Sequence, residues 1–397
     1  MSYLNKLTVR DLNAENKKVL LRCDFNVPLD NKCNITDTKR IDEALKTINY
    51  LIEKNAKIII CSHLGKPKGE YKKEFSLKPV AEYLSSKLGQ EVKLANDVVG
   101  ESAKKVVSEL GSGEVCMIEN LRFEAGETFN DEEFSKKLAS LAEIYVNDAF
   151  GTCHRAHAST VGVTRFLPSA CGFLIEKEIL ALSKLLDNPA RPFVAILGGA
   201  KVSDKIDVIS SLLEKVDVLM VGGGMSYTFT NALGYSVGDS ICESDKIIFA
   251  KDMMAKAKER DVKFLLPLDL KVGKEYKKDT EFKVVSADKI PEDWMGLDIG
   301  PKTIEQFKEV ISQAKTVFWN GPMGVFEWDN FMEGTLEVGK AVAESGAMSV
   351  IGGGDSAAAM EKLGLAEKMT HVSTGGGASL EFLCGKSLPA IEALQDK

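Results

Sequence analysis

Phe193-Val-Ala-Ile-Leu-Gly-Gly-Ala-Lys-Val-Ser-Asp-Lys205 decides the architecture. Five apolar residues stop at two glycines, and a helical pattern from Asp204 to Leu213 follows. A short buried run, a glycine turn and then a helix is the repeating βα unit of a parallel sheet. The same order recurs downstream at Val218–Val221, Phe264–Leu266, Val317–Trp319 and Ser349–Ile351, with helices expected at Ser244–Glu259, Ile304–Ala314 and Ser356–Leu363. Upstream, the apolar runs are Val19–Cys23, Ile58–Cys61, Val115–Ile118 and Ile144–Val146. Between them Ile41, Ala44, Leu45, Ile48, Leu51 and Ile52 recur at helical spacing, and Leu77–Leu88 is a further helix candidate.

Two such series in 397 residues exceed what one hydrophobic core holds. The fold class expected is α/β, two doubly wound parallel-sheet (Rossmann-like) domains joined by a helical hinge, set against a continuous single sheet. The helical pattern Leu174–Leu186, closed by Asp187-Asn-Pro189, is the expected connector. The expected division is 1–172, an inter-domain helix at 173–188, and a second domain at 189–378.

Lys and Arg total 51 against 58 Asp and Glu, a net charge of −7, which argues against a nucleic-acid duplex as partner. Only 8 of the basic residues are Arg, and Arg22, Arg40, Arg122 and Arg155 stand beside other polar residues at the edges of apolar runs. Arg binds phosphate and carboxylate bidentately, so their placement points to an anionic ligand. The 8 Cys include no C-x-x-C pair and read as buried free thiols. Met1–Val9 lacks the apolar core of a signal peptide and no run approaches a membrane span, so a soluble, cytoplasmic chain is expected. The stretch Lys66–Lys73 reads as a solvated loop.

In open parallel sheets ligands bind beyond the carboxyl ends of the strands. There the first half presents Asp24, Asn26, His63, Arg122 and the group Asp148–His157, with His154 and Arg155 beside Asp148 reading as an anion-binding wall. The second half presents glycines: Gly198-Gly199, Gly222–Gly224, Gly352–Gly354 and Gly375–Gly377. Residues without a Cβ let backbone N–H groups approach a phosphate or a flat ring, and a following helix N-terminus favours negative charge. Lys201 and Lys205, four apart at a helix start, can reach adjacent phosphates, while Asn320 and Glu327 in Phe318–Glu327 suit an adenosine. Gly385-Lys-Ser387 has Leu380 where a Walker A glycine is required, and neither G-x-G-x-x-G nor G-x-S-x-G occurs. His63, His154 and His157 have no thiolate pair or H-E-x-x-H helix beside them, so zinc is not expected.

Arg22-Cys-Asp-Phe-Asn-Val-Pro28, Ser62-His-Leu-Gly-Lys-Pro67, Glu119-Asn-Leu-Arg-Phe123, Asn147–Gly151 with His154-Arg-Ala-His157, Leu197–Lys205, Phe318–Glu327 and Gly352–Ser356 occur in this order. In that joint order the chain resembles the phosphoglycerate kinase family along essentially its whole length. The resemblance implies transfer of the acyl phosphate of 1,3-bisphosphoglycerate to ADP, giving 3-phosphoglycerate and ATP, with Mg²⁺ on the nucleotide phosphates. It implies a monomer whose hinge closes on both substrates, and a C-terminal tail, 379–397, that returns to the first domain. Arg22, Asp24, Asn26, Arg40, His63, Leu64, Gly65, Lys66, Arg122 and Arg155 are implied for the glycerate. Lys201, Lys205, Gly296, Asn320, Glu327, Gly353, Gly354, Asp355 and Ser356 are implied for the nucleotide. Arg40 and Lys201 are the implied catalytic pair and Asp355 the metal-side carboxylate. Lys66 departs from the Arg that many members carry, which keeps charge and loses the planar fork. Rival readings are a kinase for a sugar or another small carboxylic acid, and a non-catalytic nucleotide-binding regulator.

Overall fold

The first unit is built on six parallel strands in the spatial order β3-β4-β2-β1-β5-β6: β1 (Lys18–Cys23), β2 (Lys57–Cys61), β3 (Lys93–Leu94), β4 (Val115–Met117), β5 (Ile144–Asp148) and β6 (Ser169–Cys171). This is a computed structural model describing residues 3–397; Met1 and Ser2, which open the expected first domain, lie outside the described residues. Val19–Cys23 is buried on both faces, as expected where helices cover both sides of a parallel sheet. Helix Lys39–Glu53 lays Ile41, Ala44, Ile48 and Leu51 on the sheet, and helix Lys78–Leu88 adds Val80, Ala81 and Leu84. The strand order reverses between β1 and β5. The connections that leave these paired strands therefore run to opposite sides and leave a crevice beyond Cys23 and Asp148.

The second unit repeats the plan with β7 (Phe193–Leu197), β8 (Val218–Val221), β9 (Lys263–Leu265), β13 (Thr316–Asn320), β14 (Met348–Gly352) and β15 (His371–Val372), in the order β15-β14-β13-β7-β8-β9. Its reversal lies between β7 and β13, which is where Gly198 and Gly321 begin their loops. Trp319, Ile196, Phe307 and Val338 anchor the core.

The expected runs omitted the short strands β3, β6 and β15, and they omitted a whole sheet. Strands β10 (Asp269–Gly273), β11 (Phe282–Ser286) and β12 (Met295–Ile299) form a separate antiparallel sheet in the order β11-β10-β12. β11 is exposed along nearly all its length, and β10 buries only alternate apolar side chains, Leu270 and Val272.

The chain divides into two compact units. The first runs to Leu180 and regains Ser387–Lys397, and the second is Ala181–Lys386. The boundary falls inside helix Phe173–Leu186. Residues 379–386, expected in the returning tail, cluster instead with the second unit, because helix Gly377–Leu383 buries Ala378, Phe382 and Leu383 and Ser211 Oγ donates to the Leu383 carbonyl at 3.2 Å. From Ser387 the tail belongs to the first unit: Leu388 N donates to Tyr3 Oη at 2.8 Å and Ala390 N to the Cys153 carbonyl at 3.2 Å. Among the described residues the eight cysteines are free, five of them buried, and no helix is long and apolar enough to cross a membrane.

Candidate active site

In the first unit, the segments after β1, β2, β4 and β5 converge. Asn120 holds two of them together: its Oδ1 accepts from Leu64 N (3.2 Å) and Arg122 N (3.1 Å), and its Nδ2 donates to the Leu64 and Phe75 carbonyls at 2.7 and 2.8 Å. Gly65 sits at φ +62°, and a Cβ there would lie 2.4 Å from the Phe75 ring, so only glycine makes this turn. Its N–H donates to Asn26 Oδ1 (2.8 Å) and its carbonyl accepts from Arg122 Nη1 (2.7 Å). Asp24 Oδ2 accepts from Arg40 Nη1 at 3.0 Å, and Asp24 Oδ1 lies 3.9 Å from His63 Nδ1.

A cavity of about 430 Å³ opens beside this group, lined by Lys66, Lys68, Arg122, Arg155, His157 and Glu124 among others. Four cations face one carboxylate. The excess is legible in the titration of its neighbours. Burial first, then Arg155 and Arg22, pushes Arg122 down to about 10. Burial, then Arg22, Arg122 and Arg155, brings His157 down to about 4, and burial with the same arginines and Arg40 holds His63 well below its usual range. Both imidazoles are therefore neutral at pH 7. Arg122 Nε is buried without a hydrogen-bond partner. A buried donor left unpaired is costly.

The sequence-derived glycerate residues thus separate into three layers. Lys66, Arg122 and Arg155 line the cavity, whereas Asp24, Asn26, Arg40, His63, Leu64 and Gly65 form the hydrogen-bonded group beside it. Arg22 is wholly buried: Nε donates to Ser159 Oγ at 2.9 Å, Nη1 to the Cys23 carbonyl, and Nη2 to His63 Nδ1 at 3.2 Å. The expected anion wall needs a correction at Asp148. Its side chain is buried and turned into the fold, where Oδ1 accepts from Leu174 N (2.8 Å) and Ile175 N (3.3 Å) at the start of helix Phe173–Leu186. His157, noted in the sequence without a ligand role, and Lys68, read as part of a solvated loop, are both cavity residues. The Lys66–Lys73 loop is solvated on one side and a cavity wall on the other.

In the second unit a cavity of about 450 Å³ lies beyond β7, β8 and β13. Three glycine loops are stitched to one another there: Gly198 N donates to the Asn320 carbonyl (2.9 Å), Gly199 N to that of Pro322 (3.0 Å) and Gly223 N to that of Met323 (3.1 Å). At Gly223, φ +63°, a Cβ would stand 2.7 Å from Gly199 N and 2.8 Å from the Pro322 carbonyl. Many of the glycines thus let loops approach loops, and Gly199, Gly223 and Gly224 also line the cavity. Its other walls are apolar, from Tyr227, Ile241, Met295, Leu297 and Phe326, with Asp239, Glu327 and Asp355 as its carboxylates.

Of the sequence-derived nucleotide residues, Gly296, Glu327 and Asp355 line this cavity. Asn320 does not face it, contrary to expectation. It is buried at the end of β13, receives the Lys205 ammonium at Oδ1 and donates from Nδ2 to the Gly352 carbonyl at 2.7 Å. Burial lowers the Lys205 pKa while Asp355 works to raise it. Lys201 is exposed in the turn before the short 3₁₀ segment Ser203–Lys205, so the two lysines precede the α-helix, which starts at Ile206, and do not share its face. Gly353, at φ +90°, precedes helix Gly354–Lys362, and Ser356 Oγ accepts from Gly321 N at 2.5 Å. Asp355, on the first turn of that helix, is one carboxylate, and no group of three or more His, Cys, Asp or Glu among the described residues could hold a metal. Mg²⁺ is commonly held by one or two carboxylates plus substrate phosphates, so this donor set fits an ion carried on a nucleotide.

The family model described as phosphoglycerate kinase matches residues 9–386. The phosphoglycerate kinase of Clostridium perfringens strain 13 is 60% identical over 396 residues, covering 99% of each chain, and that of Clostridium botulinum strain Loch Maree is 58% identical over 400 residues, covering 100% of each. Among solved structures, phosphoglycerate kinase from Coxiella burnetii aligns with a TM-score of 0.88 at 45% identity, and that from Pyrococcus horikoshii OT3 with 0.84 at 37%, each covering 98% of both chains.

Proposed function

Because the chain belongs to the phosphoglycerate kinase family, we propose that its two cavities divide the family's substrates, the first unit taking the glycerate and the second the nucleotide. The reaction is reversible phosphoryl transfer from 1,3-bisphosphoglycerate to ADP, giving 3-phosphoglycerate and ATP. Membership displaces the sugar kinase and the non-catalytic regulator as readings.

The observation that carries the glycerate assignment is a cavity where four cations face one carboxylate. Arg122, Arg155 and Lys66 would hold the phosphate that stays on the substrate, with the neutral His63 and His157 donating hydrogen bonds to it. Asp24 and Asn26 suit the hydroxyl and carboxyl end. Arg40, anchored through Nη1 on Asp24, is the group for the migrating phosphoryl, whose equatorial oxygens its fork can follow. Phosphoryl transfer needs alignment and charge compensation more than covalent help.

In the second unit the apolar walls suit a base, Glu327 suits ribose hydroxyls, and the start of helix Gly354–Lys362 with Lys205 and Lys201 suits the phosphates. Gly353 and Ser356 keep that helix start close to Asn320 and Gly321. Asp355 would hold Mg²⁺ arriving on the nucleotide, and the ion, when bound, neutralises phosphate charge.

Crossed calorimetry tests the division. Arg122→Ala should lose most 3-phosphoglycerate affinity and keep that for ADP, whereas Glu327→Gln should do the reverse. Unchanged 3-phosphoglycerate affinity in Arg122→Ala would overturn the glycerate assignment.

A further inference from the structure

Below the cation cluster of the first unit runs a buried line of four polar side chains, Glu127, Ser159, Arg22 and His63. The first three are wholly buried and His63 is 3% exposed. Glu127 Oε1 accepts from Ser159 Oγ at 2.6 Å, and its Oε2 from Ser159 N at 3.0 Å. Having given its one proton to Glu127, the Ser159 hydroxyl can only accept from Arg22 Nε, at 2.9 Å. Arg22 Nη2 then meets His63 Nδ1 at 3.2 Å. A guanidinium has no lone pair to offer, so Nδ1 must be the acceptor and the neutral ring carries its proton on Nε2.

We propose that Glu127 and Ser159 are positioning residues for the glycerate reaction, acting through Arg22 to hold His63 as the Nε2–H tautomer, a donor ready for the substrate phosphate. Arg22, offered by the sequence as a substrate ligand, acts in the same way, since it has no accessible surface with which to touch a substrate. The proposal rests on the assignment of His63 to the glycerate phosphate. Arg22, a donor at every nitrogen, fixes the direction of its bonds to Ser159 and His63, and the Glu127 carboxylate, by orienting the Ser159 hydroxyl, holds the fork in place. Tyr145 Oη, donating to the Ser159 carbonyl at 2.7 Å, and the Ala158 N bond to the Glu127 carbonyl at 2.9 Å keep the serine in register.

The test is long-range ¹H–¹⁵N correlation spectroscopy on the whole protein with ¹⁵N-labelled histidine, with four histidines to assign and His63→Gln to identify the signal. The wild type should show His63 as a single neutral Nε2–H tautomer from pH 5.5 to 8. Ser159→Ala, a small truncation, and Glu127→Gln should each lose that single signature. Each should also weaken 3-phosphoglycerate binding about tenfold, the scale of one buried hydrogen bond, with ADP affinity unchanged. A Ser159→Ala protein that keeps the single tautomer overturns the relay. A changed tautomer with unaltered 3-phosphoglycerate affinity overturns instead the assignment of His63 to the phosphate.

Discussion

Asp148→Asn should leave catalysis intact while changing how stability depends on pH. Burial raises the Asp148 carboxyl from 3.8 to about 7, against the opposing pull of the Thr47 hydroxyl and the Ile175 and Leu174 amides. The folded protein therefore keeps a proton that the unfolded chain releases near 3.8. The folded state binds more protons throughout that window, so the contribution is fully present below 3.8 and is lost as pH rises to about 7. The slope is about 1.36 kcal/mol per pH unit, and the loss stops once the native carboxyl has ionised. Asparagine is neutral at every pH, and Oδ2, which its amide nitrogen would replace, has no partner to offend. Between pH 5 and pH 8 the stability of the variant relative to wild type should thus grow by about 2.7 kcal/mol, the slope times roughly two pH units. Urea unfolding followed by far-UV circular dichroism at pH 5, 6, 7 and 8 measures the difference. A difference that stays constant with pH would refute the reasoning, and a raised KM for 3-phosphoglycerate would return Asp148 to the anion wall.

Asp298 is raised to about 7 by the same burial, yet Asp298→Asn should destabilise at every pH, by about 1–3 kcal/mol. Both its oxygens are used, Oδ1 by Ile299 N at 2.9 Å and Oδ2 by Gly334 N at 2.8 Å, so an amide NH₂ must face one of those donors; equal or greater urea resistance of the variant would contradict this. Arg40→Ala should lower kcat and kcat/KM together by about 10², or about 2.7 kcal/mol, with little change in thermal unfolding; near-normal kcat would leave Arg40 only its salt bridge to Asp24. Gly296→Ala would set a Cβ 2.2 Å from Tyr227 Oη, whose ring is buried, so the cavity wall must shift; steady-state kinetics should show the ADP KM rising about tenfold with that for 3-phosphoglycerate unmoved, and an unchanged ADP KM would contradict it.

How much of this was legible in the chain follows from what kind of signal each part leaves. Strands buried on both faces write themselves as unbroken apolar runs, so β1, β2, β7, β8 and β13 could be read to within a residue or two. Strand β11 buries no continuous face, and Phe282–Ser286 looks like any mixed polar stretch, so the antiparallel sheet that supplies Met295, Gly296 and Leu297 to the cavity of the second unit left no periodicity to find. Arg122 and Arg155 were found because arginine is scarce in this lysine-rich chain. That scarcity also drew attention to Arg22 without revealing that its fork turns inward, a fact that depends on Ser159, 137 residues away. His157 was legible as part of the His154–His157 motif but not as a cavity residue; its place beside Glu127, in a cavity with two arginines, arises only on folding.

The return of Ser387–Lys397 to the first unit has a consequence for how the protein is made. A ribosome finishes the sheet β1–β6 and then synthesises all of Ala181–Lys386 before it reaches the segment that completes the first unit. At ordinary elongation rates that interval is roughly 10–40 s. Throughout it the Cys153 carbonyl, two residues from Arg155, lacks the Ala390 N–H that caps it, and Tyr3 Oη lacks the Leu388 N–H. A nascent first unit is thus missing a brace two residues from Arg155 until the second unit already exists. Chain order thus makes the first unit, begun first, the later of the two to gain all its contacts.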